Sequence, residues 1–146
     1  MQDRQLTLTR HIAAPPQAVW RCWTDPAILP QWFGPDGFSC RTKQIDLVEG
    51  GQWRFDMIAP DGTIFANRHR YTLMHAPQRI EFLMDDDTRD DPPMRVVVTL
   101  NADGAGTFIS QTITLPTAEA KIAALGFGAD VLGLQTLAKL AALAEA

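Results

Sequence analysis

Three histidines, one tyrosine and two cysteines are the side chains of this 146-residue chain best suited to proton transfer, nucleophilic attack or metal ligation. His69 and Tyr71 stand two apart in Asn67-Arg68-His69-Arg70-Tyr71, so a strand there puts Asn67, His69 and Tyr71 on one face. In an apolar pocket, His69 and Tyr71 could move a proton to or from a carbonyl compound. The competing reading of His69 is a partly exposed strand residue between two arginines. His11 and His75 adjoin no Ser or Cys in a nucleophile motif, and no carboxylate pair falls in a segment expected to be buried, so no catalytic residue is assigned. Cys22 and Cys40 are far apart with no His beside either, which suits reduced structural thiols rather than zinc or a dithiol centre. Asp85-Asp86-Asp87-Thr88-Arg89-Asp90-Asp91 clusters oxygen atoms but lacks the spaced acids, central Gly and terminal Glu of a calcium loop. A solvated connection is expected there, and no metal or cofactor is implied.

The elements that must position these groups follow from periodicity and turn chemistry. Alternating apolar and polar residues predict strands over 5–12, 38–47, 52–59, 64–75, 79–84, 94–101 and 107–115. Pro60-Asp61-Gly62-Thr63 and Ala102-Asp103-Gly104-Ala105-Gly106 are turn sequences that make successive strands antiparallel neighbours. After the first strand, Pro16 and Pro26 each suit the first turn of a short helix, the second with Asp25 as N-cap and an end near Trp32. Thr117 can cap a helix starting near Ala118, with Gly126, Gly128 and Gly133 interrupting it. From 130 to 144, Leu134, Leu137, Ala141 and Ala144 form an apolar stripe at helical spacing. Strand, two short helices, about six strands and a long helix define an α+β domain spanning 1–146.

That domain offers an apolar wall. Trp53, Phe55 and Met57 alternate toward one face, and Tyr71, Leu73, Phe82 and Met84 join them if register follows the turns. Large side chains on strands are ordinarily core, but the small residues from Gly126 to Gly133 either leave room for a ligand or allow a tight seam. Trp32 and Phe33, beside the Gly34-Pro35 turn, are placed to line or gate an entrance, and Phe127 sits among the small residues. Candidate ligand-binding residues are thus Trp32, Phe33, Trp53, Phe55, Met57, Asn67, His69, Tyr71, Phe82, Met84 and Phe127. Net charge is -4, and no Lys/Arg cluster tracks a phosphate backbone or an anionic membrane, so neither is an expected partner. The polar opening segment Met1-Gln2-Asp3-Arg4-Gln5 does not read as a signal peptide, so a cytoplasmic location is expected.

Ala14-Pro15-Pro16-Gln17-Ala18-Val19-Trp20, Trp23-Thr24-Asp25-Pro26, Gln31-Trp32-Phe33-Gly34-Pro35, Gly50-Gly51-Gln52-Trp53-Arg54-Phe55 and Pro60-Asp61-Gly62 occur in that order. Together they resemble the stand-alone proteins related to the C-terminal domain of the Hsp90 ATPase activator Aha1, within the START/Bet v 1-like (SRPBCC) superfamily. The resemblance implies a helix-grip fold, a curved antiparallel sheet of six to seven strands wrapped around a long C-terminal helix with a cavity between. It also implies an apolar or amphipathic small-molecule ligand, with a chaperone-interaction module tied to stress response and a polyketide cyclase or isomerase as alternatives. Relatives commonly carry a Gly-Trp pair in the last helix, where this chain has Gly133-Leu134. A monomer and a homodimer are both compatible with these features.

Overall fold

Alternation along the chain becomes one seven-stranded antiparallel sheet in the computed structural model, which describes residues 3–146. Met1 and Gln2 of the polar opening segment lie outside the described residues. The strands are β1 (Gln5–Ile12), β2 (Ser39–Ile45), β3 (Gln52–Ile58), β4 (Ile64–His75), β5 (Arg79–Asp85), β6 (Met94–Asp103) and β7 (Gly106–Thr114). Their order across the sheet is β1-β7-β6-β5-β4-β3-β2. Successive strands from β2 to β7 pair through short turns, and β1 then closes against β7. The two edge strands are therefore β1 and β2, and the chain passes between them through α1 (Pro16–Thr24) and α2 (Leu29–Trp32). That crossing lays both helices over one end of the sheet, where Trp23 and Trp32 meet edge-on with ring centroids 4.7 Å apart.

The second short helix is shorter than its proline suggested. Asp25 Oδ1 accepts from the Ala27 N–H, and the Asp25 carbonyl accepts from Ile28 and Leu29, making a turn that leads into α2 at Leu29 rather than a helix from Pro26. At the other end, Thr117 Oγ1 accepts from the Ala120 N–H and starts α3 (Ala118–Gly126). Gly128, at φ +79°, ends it in the left-handed region and redirects the chain by 70° into α4 (Ala129–Glu145). Gly133 does not interrupt the helix as expected. It lies within α4, where a Cβ would collide with Leu8 Cδ1 of β1. At this position the small residue makes a tight seam, whereas Gly126 and Gly128 face open space.

The core joins sheet and helices through Leu8, Ile12, Val19, Ile80, Val98 and Leu137, all buried. Two further expectations are corrected. A register shift between Tyr71 and Leu73 pairs Leu73 with Glu81 and Met74 with Ile80, so Met74, not Leu73, continues the inner face and packs on the core. The acidic stretch is only partly a solvated loop, because Asp85 belongs to β5 and takes paired hydrogen bonds of 2.9 and 2.8 Å from Arg68. Asp87 likewise accepts from Arg54 Nε at 2.9 Å. Among the described residues no single helix is long and apolar enough to cross a membrane.

Candidate functional site

Register brings the candidate residues together in rows across the sheet. Trp53 stands opposite His69, and Phe55 opposite Asn67. His69 stands in turn opposite Met84, and Tyr71 opposite Phe82. Because pairing conserves the face, all of these side chains share the inner surface, together with Met57 on β3 and Phe65 on β4. Arg68 and Arg70, by the same alternation, lie on the outer face with Asp85. Hydrogen bonds from Arg68 are the leading cause holding the Asp85 carboxyl below its ordinary range.

The middle of the inner face is sealed. Trp53 and Phe55 have no accessible surface, so neither borders a space that admits water. Their rings stack at 3.6 Å, and the Trp53 indole N–H donates to Thr42 Oγ1 at 3.0 Å. Phe33 lies edge-on against Trp53 and Phe55, with Trp32 beside it. Trp32 is buried, its N–H donating to the Cys22 carbonyl.

His69 sits at the centre of this cluster, 1% exposed. Phe82 stacks on it at 4.4 Å, and Phe33, Trp53 and Phe55 surround it at 5.0, 5.3 and 5.2 Å. The partly exposed reading of His69 is thereby overturned, since its neighbours on both strands are large rings. Burial drives its pKa down to about 3 and outweighs the opposing negative charge of Asp85. Burial pushes the Tyr71 hydroxyl upward. The His69 and Tyr71 rings are 6.5 Å apart, and at neutral pH both stay uncharged, His69 a weak base and Tyr71 a weak acid. These are poor properties for a proton-transfer pair.

Toward the other end the same face opens. Met57, Asn67 and Met84 are partly exposed, and Phe65 is exposed. Phe65, Asn67, Met84 and Met94 border a depression of about 270 Å³ that also takes in Ala66 and Asp85 of the opposite parity, with Asp86, Asp91 and Pro92 on its rim. Asn67 Nδ2 donates to the Phe65 carbonyl at 2.9 Å, which holds the amide along its own strand. Apolar residues of α3 and the start of α4 are left unpacked, Ile122 at 70% and Phe127 at 84% exposure. Phe127 is therefore separate from the buried candidates. Sequence reasoning missed Phe65 and Met94. Both carry the inner-face parity of the candidates they adjoin, and that parity was the available signal.

A curved antiparallel sheet with helices over one face and a seam against the C-terminal helix defines the helix-grip class of α+β domains. Over residues 13–145 the chain matches the family described as Activator of Hsp90 ATPase homolog 1-like protein, and it belongs to that family, within the START/Bet v 1-like superfamily. Among solved structures it is similar to protein Ms6760 from Mycobacterium smegmatis, with 27% identity, TM-score 0.85, and coverage of 98% of this chain and 93% of that one. It is also similar to protein CV1439 from Chromobacterium violaceum, with 28% identity, TM-score 0.79 and 97% coverage of both chains. The AHSA1 protein SPO3351 from Silicibacter pomeroyi is 26% identical, with TM-score 0.76 and coverage of 94% and 95%. Comparison with curated proteins finds no match.

Proposed function

We propose that the protein binds a small apolar or amphipathic molecule on the open half of its inner face. One observation carries this reading: Met57, Phe65, Met84 and Met94 point to the concave side of the sheet, yet stay in contact with solvent. Methionine adapts to ligand shape through its flexible thioether, so such a surface tolerates several related molecules. Burying roughly 200 Å² of apolar ligand at about 25 cal/mol per Å² supplies about 5 kcal/mol toward binding, against which the ordering of ligand and side chains is set. The family's fold, shared with proteins that hold hydrophobic ligands, supports the same reading.

Isothermal titration with decanol, naphthalene and 2-naphthol tests it. The double variant Met57→Ala/Met84→Ala is expected to weaken binding about tenfold while the fold persists, because both side chains are only partly buried. Absence of binding by every probe, or binding indifferent to the double variant, would overturn the assignment.

A further inference from the structure

Two polar atoms in the sealed half, Trp23 Nε1 and His69 Nε2, have no counterpart. His69 Nε2 is buried with no hydrogen-bond partner. The rings against it cannot supply one: Phe33, Phe55 and Phe82 are hydrocarbon, and the Trp53 N–H is already given to Thr42. A phenylalanine at position 69 would fill similar space without a stranded nitrogen, so packing alone does not account for the imidazole.

The cover over His69 differs in kind from its walls. Trp53, Phe55 and Phe82 are fixed in paired strands, whereas Phe33 ends a four-residue helix and precedes a loop with Gly34 at φ +107° and Gly37 at φ +80°. That loop is strapped to α4 by polar contacts. Lys139 Nζ donates to the Gly34 and Pro35 carbonyls at 3.1 and 3.3 Å, and Gln135 Oε1 accepts from the Asp36 N–H at 3.2 Å. Contacts of this kind, partly open to water, are the sort that local opening breaks first. With the strap lost, the Phe33 backbone is still held by its N–H to the Leu29 carbonyl and by Cys40 Sγ of β2 donating to its carbonyl, so it is the ring that swings aside while the strands stay paired.

We propose that Phe33 is a displaceable plug and that His69 Nε2 is the polar anchor for a hydroxyaromatic ligand of the phenol class. The ligand's ring takes the place of the Phe33 ring against Trp53 and Phe55, and its hydroxyl donates to Nε2. This inference rests on the ligand-binding reading above and names the chemistry of its deepest point. One ring of the ligand matches the space that one phenylalanine vacates, with any second ring left toward the open half, and edge-on aromatic walls favour an aromatic occupant. A carboxylate is disfavoured, because among the described residues no cation lies on the inner face of the cluster: Arg68 and Arg70 are on the outer face, bound to Asp85.

The test compares 2-naphthol with naphthalene on the wild-type protein and on His69→Phe, by isothermal titration. The ratio of their affinities is expected to fall about tenfold in the variant, through loss of preference for 2-naphthol. In parallel, nitrogen-15 spectra of the wild-type imidazoles should show His69 Nε2 moving with 2-naphthol and not with naphthalene, a readout independent of how the variant folds. Binding of both probes with an unchanged ratio, or an Nε2 signal indifferent to 2-naphthol, overturns the anchor and leaves the open-half reading standing. Failure of both probes to bind overturns the two together.

Discussion

The two halves of the inner face come from the same central strands and point the same way, yet one excludes water and the other meets it. What differs is the covering. Over Trp53, Phe55, His69 and Phe82 come Phe33 and Trp32, held by the connection between the edge strands and by polar straps to α4. Met57 lies under the Gly34 turn, where an added Cβ would stand 3.0 Å from its sulfur, but Met57, Asn67 and Met84 all stay partly exposed, and α3 contributes no buried residue. Strand register thus makes a continuous wall, and the helices and loops decide which part becomes core and which part becomes surface. The sealed half carries the folding core, and the open half is the part a ligand reaches without displacing Phe33.

Truncating the sealed half should therefore cost most. Trp53→Ala is expected to destabilise the protein by about 3–5 kcal/mol, read as a lowered urea midpoint. A loss under about 1 kcal/mol would mean that this region is not the folding core. Acid should act next, through His69. Its folded pKa of about 3 lies below the 6.5 of an unperturbed imidazole, so the unfolded chain binds the extra proton. Its contribution is complete above pH 6.5 and declines by about 1.4 kcal/mol per pH unit as pH falls from there toward the folded pKa. Urea unfolding at pH 7.5 and 5.0 should differ by about 2 kcal/mol from this group, and His69→Phe should flatten the slope. The smallest change belongs to the open side: Phe127→Ser should alter stability by less than about 0.5 kcal/mol, since the ring is already in water. A large loss there would erase the distinction between the halves.

Much of this architecture was legible in the chain. Alternation around Trp53-Arg54-Phe55 and the Pro60-Asp61-Gly62 turn placed the strands, and the ordered motifs from Ala14 to Gly62 placed the family. Features set by contact between distant segments were not. The shift at Thr72 that exchanges Leu73 for Met74 depends on how β4 meets β5, and nothing local marks it. Asp85 reads as part of an acidic loop until register sets it opposite Arg68, 17 residues away. Gly133 fits a pocket or a seam equally well until Leu8 is found against it. For His69 the sequence supplied the face, but its burial comes from Phe33, which arrives from a loop whose path no periodicity records.

The central claim is that an apolar ligand occupies the open half and leaves the far end of the inner face undisturbed. Carbon-13 labelling of the methionine methyl groups reads both regions at once during titration with naphthalene. The signals of Met57 and Met84 should move together and saturate, while that of Met74, packed beyond the Tyr71 and Phe82 row beside Ile80, stays in place. Stationary Met57 and Met84 signals at saturating probe, or an equal response from Met74, would contradict the account.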